Sequence, residues 1–285
     1  MTNADKVLAC VDRSQFADTI ADWGAWAAQR LDAPLEFLHV ISRPTERGAD
    51  HSGAIGINAQ EQLLNQLSDQ DEQHSRSARE QGRIFLNRLR QRAEQAGAAP
   101  VDIRQRHGDL EETLAEQAPG VRLFVLGRRG ESAETTQRDL GRNVERVVRA
   151  LDKPILAVTD RFQAPRRVLM AFDGSAVTRR GVETLAASPL LRGLPILLLM
   201  SGKPRKDGHR QLEWARGTLA QAGFDVEAES LPGDAEQIIA RTVRAREIDL
   251  LVMGAYTHSP LRSLLLGSRT SDLLRSATVP ALLLR

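Results

Sequence analysis

The chain has 285 residues, 41% of them hydrophobic but only 4% aromatic, with a formal net charge of +2 and a pI near 9.0. That length fits two ordinary domains better than one, and cores of Val, Leu, Ile and Ala suit parallel sheets covered by helices. So small a charge excess argues against a dedicated nucleic-acid binder, and no stretch reaches the roughly 18 apolar residues that a bilayer span requires.

Along the chain, Val7–Val11 is a short continuous apolar run, as expected of a strand covered on both faces. The single cysteine, Cys10, lies inside it and reads as an inert buried thiol. With no intrachain disulfide to form and no targeting peptide visible in MTNADKVLACVDRS, a cytoplasmic protein is expected. Ala17–Leu31 has helical spacing, with Ile20, Trp23, Ala27 and Leu31 on one face and Trp26 beside Trp23. Leu35–Ile41 is the second strand, with His39 a structural residue near its end. Ile84, Phe85, Leu89 and Ala93 mark an amphipathic helix that ends near Gly97. Val101–Arg106 is the third strand, Leu110–Gln117 a helix and Leu123–Leu126 the fourth strand. Val144–Leu151 is the last helix and Ile155–Val158 the fifth strand.

After a linker over 160–167 that contains Pro165, the same alternation returns. Its elements are Val168–Phe172, Gly181–Ala187, Ile196–Met200, Gln211–Ala222, Val226–Ser230, Ala235–Ala245, Leu250–Met253, Thr270–Ser276 and Ala281–Leu284. The expected fold is therefore α/β: two tandem doubly wound domains, 1–160 and 165–285, each a five-stranded parallel sheet with helices on both faces. The repeat is visible residue by residue. Lys6-Val-Leu-Ala-Cys-Val-Asp-Arg-Ser14 matches Arg167-Val-Leu-Met-Ala-Phe-Asp-Gly-Ser175, which sets Asp12 and Asp173 161 apart. Gly108 and Gly233 are 125 apart, so the first copy carries about 36 extra residues, for which 43–76 is the candidate. That insertion reads as a surface loop entering a lengthened helix, or as a lid or partner-binding segment. The two fifth strands can pair within one chain as a pseudo-dimer, which would protect an otherwise exposed apolar edge. Two such chains could also associate as a homodimer.

Ligands of open parallel sheets lie beyond the carboxyl ends of the strands, where the strand order reverses. Three features fall there: Asp12 and Asp173 after the first strands, Gly108-Asp109 and Gly233-Asp234 after the third, and the glycines that end the fourth. In the second copy Met253-Gly254 leads through Thr257 to Gly267-Ser268-Arg269-Thr270 at the start of a helix. Free N–H groups and the helix dipole favour an anion there, and glycine allows close approach. Capping of the helix also explains Ser268 and Thr270. In the first copy the loop runs Gly127-Arg-Arg-Gly130 to Gly141-Arg142-Asn143. Arg142 either pairs with a phosphate or fills its space, and Asn143 can cap the following helix.

These elements together resemble the universal stress protein family, as a tandem, two-domain member with an adenine nucleotide alpha hydrolase-like fold. That family carries Gly-x2-Gly-x9-Gly-(Ser/Thr) after its fourth strand and an aspartate after its first. Gly254, Thr257 and Gly267-Ser268 follow the spacing, with Thr257 replacing the second glycine. Gly127, Gly130 and Gly141 follow it with one extra residue and Arg142 in place of Ser/Thr. The resemblance implies ATP as ligand, with Mg²⁺ arriving on its phosphates. Asp12 or Asp173 would meet the ribose–adenine end, Val40 and Met200 would lie beside the base, and the glycine loops would hold the phosphates. The second copy is the better candidate.

Competing readings remain. One is a scaffold that binds no nucleotide and works through protein contacts or another small ligand. Another is a nucleotide-dependent enzyme on a related fold, for which no catalytic constellation is visible; His258-Ser259 lacks an orienting partner, and turnover of ATP would be slow at most. The six histidines are scattered, so no metal-ligand cluster is expected.

Overall fold

The computed structural model describes residues 6–41, 79–128, 142–202, 206–255 and 277–285. The first half supplies β1 (Lys6–Cys10), α1 (Ala17–Leu31), β2 (Leu35–Ile41), a helix α2 over 79–95, β3 (Val101–His107), α3 (Leu110–Gln117), β4 (Val121–Gly127), α4 (Arg142–Ala150) and β5 (Ile155–Val158). The second supplies β6 (Val168–Phe172), α5 (Ala176–Ala187), β7 (Ile196–Gly202), α6 (Gly208–Gln221), β8 (Val226–Pro232), α7 (Ala235–Ala245), β9 (Leu250–Gly254) and β10 (Ala281–Leu284). The expected insertion over 43–76 and the helix expected over Thr270–Ser276 lie outside the described residues.

Among the described residues the strands form one ten-stranded sheet in the order β3-β2-β1-β4-β5-β10-β9-β6-β7-β8. Each half is parallel throughout, with helices such as α1, α3, α5 and α6 carrying the chain back across the sheet between strands. The exception is the joint. There β5 and β10 run antiparallel, with Ile155 opposite Leu283, Leu156 opposite Leu282 and Ala157 opposite Ala281. Strand direction therefore reverses at the centre, and the carboxyl ends of the two halves' strands point in opposite directions.

Alternation along the strands feeds two continuous cores. Val7 and Ala9 of β1 face the layer of α1, α2, α5 and α6, whereas Leu8 faces α3, α4 and α7. Arginines lock the halves across the joint. Arg285 donates to the Arg149 carbonyl at 2.8 Å and Arg128 to the Ala277 carbonyl at 2.5 Å, while Arg30 reaches the carbonyls of Leu190 and Arg192. The linker packs down on α1: Trp23 Nε1 donates to the Arg161 carbonyl at 3.3 Å, and Phe162 meets the Trp23 ring edge-on at 5.0 Å.

Two expectations change in detail. Ile84 is 58% exposed and is not a core residue, because the buried stripe of α2 runs through Leu86, Leu89 and Ala93 and Ile84 points away from it. Helix α5 begins at Ala176, five residues before its apolar spacing becomes visible, because Ser175 caps it by accepting from the Thr178 N–H.

Leu282 is buried at the joint and shared by both halves. Leu282→Ala should cost about 2–5 kcal/mol. Because the joint couples the halves, circular dichroism and tryptophan fluorescence should still report one coincident transition. Two separated transitions would show instead that the halves unfold independently.

Candidate functional site

The sheet order reverses between β1 and β4 in the first half and between β6 and β9 in the second. At each reversal the following helices leave on opposite faces, α1 and α5 to one side and α4 to the other, which opens a crevice at the strand ends. Cys10 pairs with Leu126, so Asp12 projects beside the end of β4 at Gly127. Met170 pairs with Val252, so Asp173 projects beside Gly254 in the same way.

In the second half this corner is tightly built. Gly174 has φ +74, which turns the chain after Asp173 back into α5 at a conformation other residues rarely adopt. The Asp173 Oδ1 then accepts from the Ser175 N–H and from the Thr178 hydroxyl, both at 2.9 Å. A Cβ at Gly254 would lie 3.0 Å from Val177 Cγ1 and 3.2 Å from Thr178 Cγ2, so these side chains would have to give by a few tenths of an ångström to admit one. Met253 is buried beneath it.

In the first half the Asp12 Oδ1 accepts from the Ser14 N–H at 3.1 Å. His39 is buried against Phe85 and shares a 3.0 Å hydrogen bond with the Val11 carbonyl. A carbonyl only accepts, so the proton sits on Nδ1, and the imidazole steadies the strand one residue before Asp12. The Gly-Asp turns after β3 and β8 serve as helix caps. Asp109 accepts from the N–H groups of Glu111 and Glu112, and Asp234 accepts from Gln237.

The remaining candidates fall as follows. Val40 is half-buried near the end of β2. Strand pairing corrects its counterpart in the second half. Val7 pairs with Leu35 and Val168 with Ile196, which keeps the 161-residue offset and equates Met200 with His39 and Ser201 with Val40. Met200 is 8% exposed and belongs to the core under α5 and α6. Ser201 holds the matching place because β7 runs on to Gly202, two residues past its last apolar residue. Arg142 and Asn143 form the first turn of α4, directly after Gly141. Gly130, Gly141, Thr257, Gly267, Ser268, Arg269 and Thr270 lie outside the described residues. Among the described residues no group of His, Cys, Asp and Glu could hold a metal, and no helix is long and apolar enough to cross a membrane.

Fold and crevices define a tandem, doubly wound α/β protein with one strand-end cleft per half. The sequence matches the Universal stress protein family twice, over residues 3–159 and 165–285, and the chain belongs to that family. It is 34% identical to a universal stress protein of Synechocystis sp. over 284 residues, 98% of this chain and 99% of that one. A universal stress protein of Mycolicibacterium smegmatis is 23% identical over 297 residues, covering 98% of this chain and 96% of that one. Among solved structures, a universal stress protein from Archaeoglobus fulgidus superposes with a TM-score of 0.70 at 17% identity, covering 100% of this chain and 99% of the other.

Two measurements check this corner. Gly254→Ala should destabilise by about 1–3 kcal/mol, because the tightly packed Val177 and Thr178 must shift to admit its Cβ; an unchanged melting temperature would contradict the packing. Cys10 retains some exposed surface, but desolvation, with the Asp12 carboxylate adding to it, pushes its thiol up to about 12. The native protein should therefore resist iodoacetamide at pH 8 and react only when unfolded. The thiol's contribution to stability is full below the ordinary value of 9.0 and is lost as pH rises toward about 12, where the folded thiol also ionises.

Proposed function

We propose that this universal stress protein binds an adenine nucleotide, ATP, in the cleft of its second half, as a regulatory ligand in a cytoplasmic stress response. The observation that carries the reading is the corner between β6 and β9, where Asp173 is already held by two hydrogen bonds beside a glycine that keeps the backbone open. A carboxylate already held in place loses little freedom when it accepts ribose hydroxyls. Val40 in the first half, or Ser201 in the second, flanks the base. In sequence, Met253-Gly254 leads through Thr257 to Gly267, Ser268, Arg269 and Thr270, whose spacing suits a phosphate-binding loop. Mg²⁺ would come with the phosphates, held mainly by them and by water.

In the first half, Asp12, Gly127, Gly130, Gly141 and Asn143 keep the frame, and Arg142 occupies the phosphate position. A second reading follows from these departures: a family member that works through protein contacts or another small ligand without nucleotide.

Calorimetry with ATP and Mg²⁺ separates the readings. The parent protein should bind one equivalent, Ser268→Ala should weaken binding by about 10-fold, and Gly267→Val should abolish it. No heat up to millimolar ATP would leave only the second reading. Arg142→Ser should add a second equivalent by clearing the first cleft; loss of affinity there would make Arg142 a phosphate ligand.

A further inference from the structure

A second concave surface lies between α2 and the outer strand β3. Val101 and Ile103 of β3 pack into the layer of α1 and α2, and Gln105 and His107 continue that face toward the strand end. Helix α2 comes down close over them at Gly82, where a Cβ would lie 2.5 Å from Gln105 Nε2. The result is an open pocket of about 480 Å³ lined by Arg79, Glu80, Arg83, Gln105 and His107. Its one carboxylate is taken up by a neighbour. Arg83 donates from Nε to Glu80 Oε2 at 2.9 Å and from Nη2 to Oε1 at 2.7 Å, a bidentate pair that holds the guanidinium as a rigid fork. Arg79 and His107 add further nitrogen donors. Gln105 Nε2 is buried and has no hydrogen-bond partner. A buried donor without an acceptor is costly, and an ion is one of the few things that can complete it. The second half does not repeat this set. Gly97 and Gly223, each left-handed just past α2 and α6, set those helices 126 residues apart, which equates Gly82 with Gly208 but puts Lys206 at Glu80 and His209 at Arg83. On the facing strand Pro232 pairs with Gly202 where His107 pairs with Ile41, and Ser230 takes the place of Gln105.

We propose that this pocket is a phosphate-binding site of the first half, with Arg79, Arg83 and His107 as donors to the phosphate oxygens and Gln105 as a further donor at the floor. A phosphate group accepts from several directions at once, which suits donors arriving from a helix on one side and a strand on the other. A lone carboxylate is planar, matches one guanidinium edge and leaves the strand donors unused. Glu80 is a positioning residue here, because it holds the Arg83 fork without spending all of its N–H groups. The site stands apart from the nucleotide reading, since neither the strand-end aspartates nor the glycine loops take part in it.

The test titrates inorganic phosphate, and separately phenyl phosphate, into the full chain at constant pH and without nucleotide. Binding is read by calorimetry and by the imidazole NMR signals of His107, identified through His107→Gln. Both probes should move the His107 signals and leave those of His209 in place. Tighter binding of the ester marks a phosphorylated small molecule as the ligand class, and tighter binding of the free ion marks inorganic phosphate. Arg79→Gln should weaken binding by about 10-fold, as expected for a lost hydrogen bond between charged groups, and adding Arg83→Gln should abolish it. Gln105→Met, close to glutamine in shape, should weaken binding by about 3-fold without lowering the melting temperature, because it removes a donor that has no partner in the protein. Gly267→Val, which strikes the loop of the second cleft, should spare phosphate binding. The inference is overturned if phosphate up to about 10 mM leaves His107 unmoved, or if succinate moves it as strongly as phosphate does. It is equally overturned if Gly267→Val removes phosphate binding while Arg79→Gln leaves it intact.

Discussion

The antiparallel pairing of β5 with β10 joins Ile155, Leu156 and Ala157 to Leu283, Leu282 and Ala281. Each strand also has a parallel neighbour on its other side, β4 and β9 respectively, so the joint is the centre of a sheet and no longer an edge. Both core layers run across it. Leu156 and Leu282 belong to one, Ile155, Ala157, Ala281 and Leu283 to the other. The linker, the arginine contacts to carbonyls and the packing of Phe162 on Trp23 all follow from having the halves fixed in this relation. The remaining edges, β3 and β8, carry charged residues such as Arg104, Arg106, Glu227 and Glu229, which resist further strand addition.

Within this shared frame the halves have diverged in how they satisfy buried polar groups. Glu36 on β2 is buried between Lys6 at 2.9 Å and Arg104 at 3.1 Å, a charged cluster beneath the end of α3. The second half has Leu197 at that place, buried among aliphatic neighbours. A buried ion pair and a well-packed leucine are close in net stabilisation, so neither choice disturbs the fold. At the strand ends the exchange is larger. Arg13 reaches Gln81 of α2 in the first half, whereas Gly174 leaves the backbone bare and lets α6 close over it through Gln211.

Much of the fold was legible in the residues because parallel strands and covering helices leave strong periodic marks. The repeat, the strand–helix alternation and the apolar fifth strands depend only on which residues must leave water. Boundaries were less legible where polar residues begin or end an element. Ser175 starts α5 through a cap, and β7 extends through Ser201 because β8 continues to pair with it. Ile84 showed that an apolar residue inside a helical stripe need not face the core. The hydrogen bond from Thr178 to Asp173 left no mark at all, since a threonine in a first helical turn is ordinary until its distance to the aspartate is known. Asp12 and Asp173 could be placed at strand ends from the sequence, but their hydrogen bonds could not.

Covalent fusion has a consequence for how such a molecule can change. In a symmetric dimer of identical subunits, every substitution appears twice, so both clefts must tolerate it together. Here the same sheet holds Ala17 at one strand end and Thr178 at the other, with Arg142 and Ser268 at the matching loop positions. Each cleft can be altered alone, and the fixed joint holds the two in one-to-one ratio however dilute the protein becomes. An architecture with two-fold pseudo-symmetry has thereby become an asymmetric one, whose two ends can change separately.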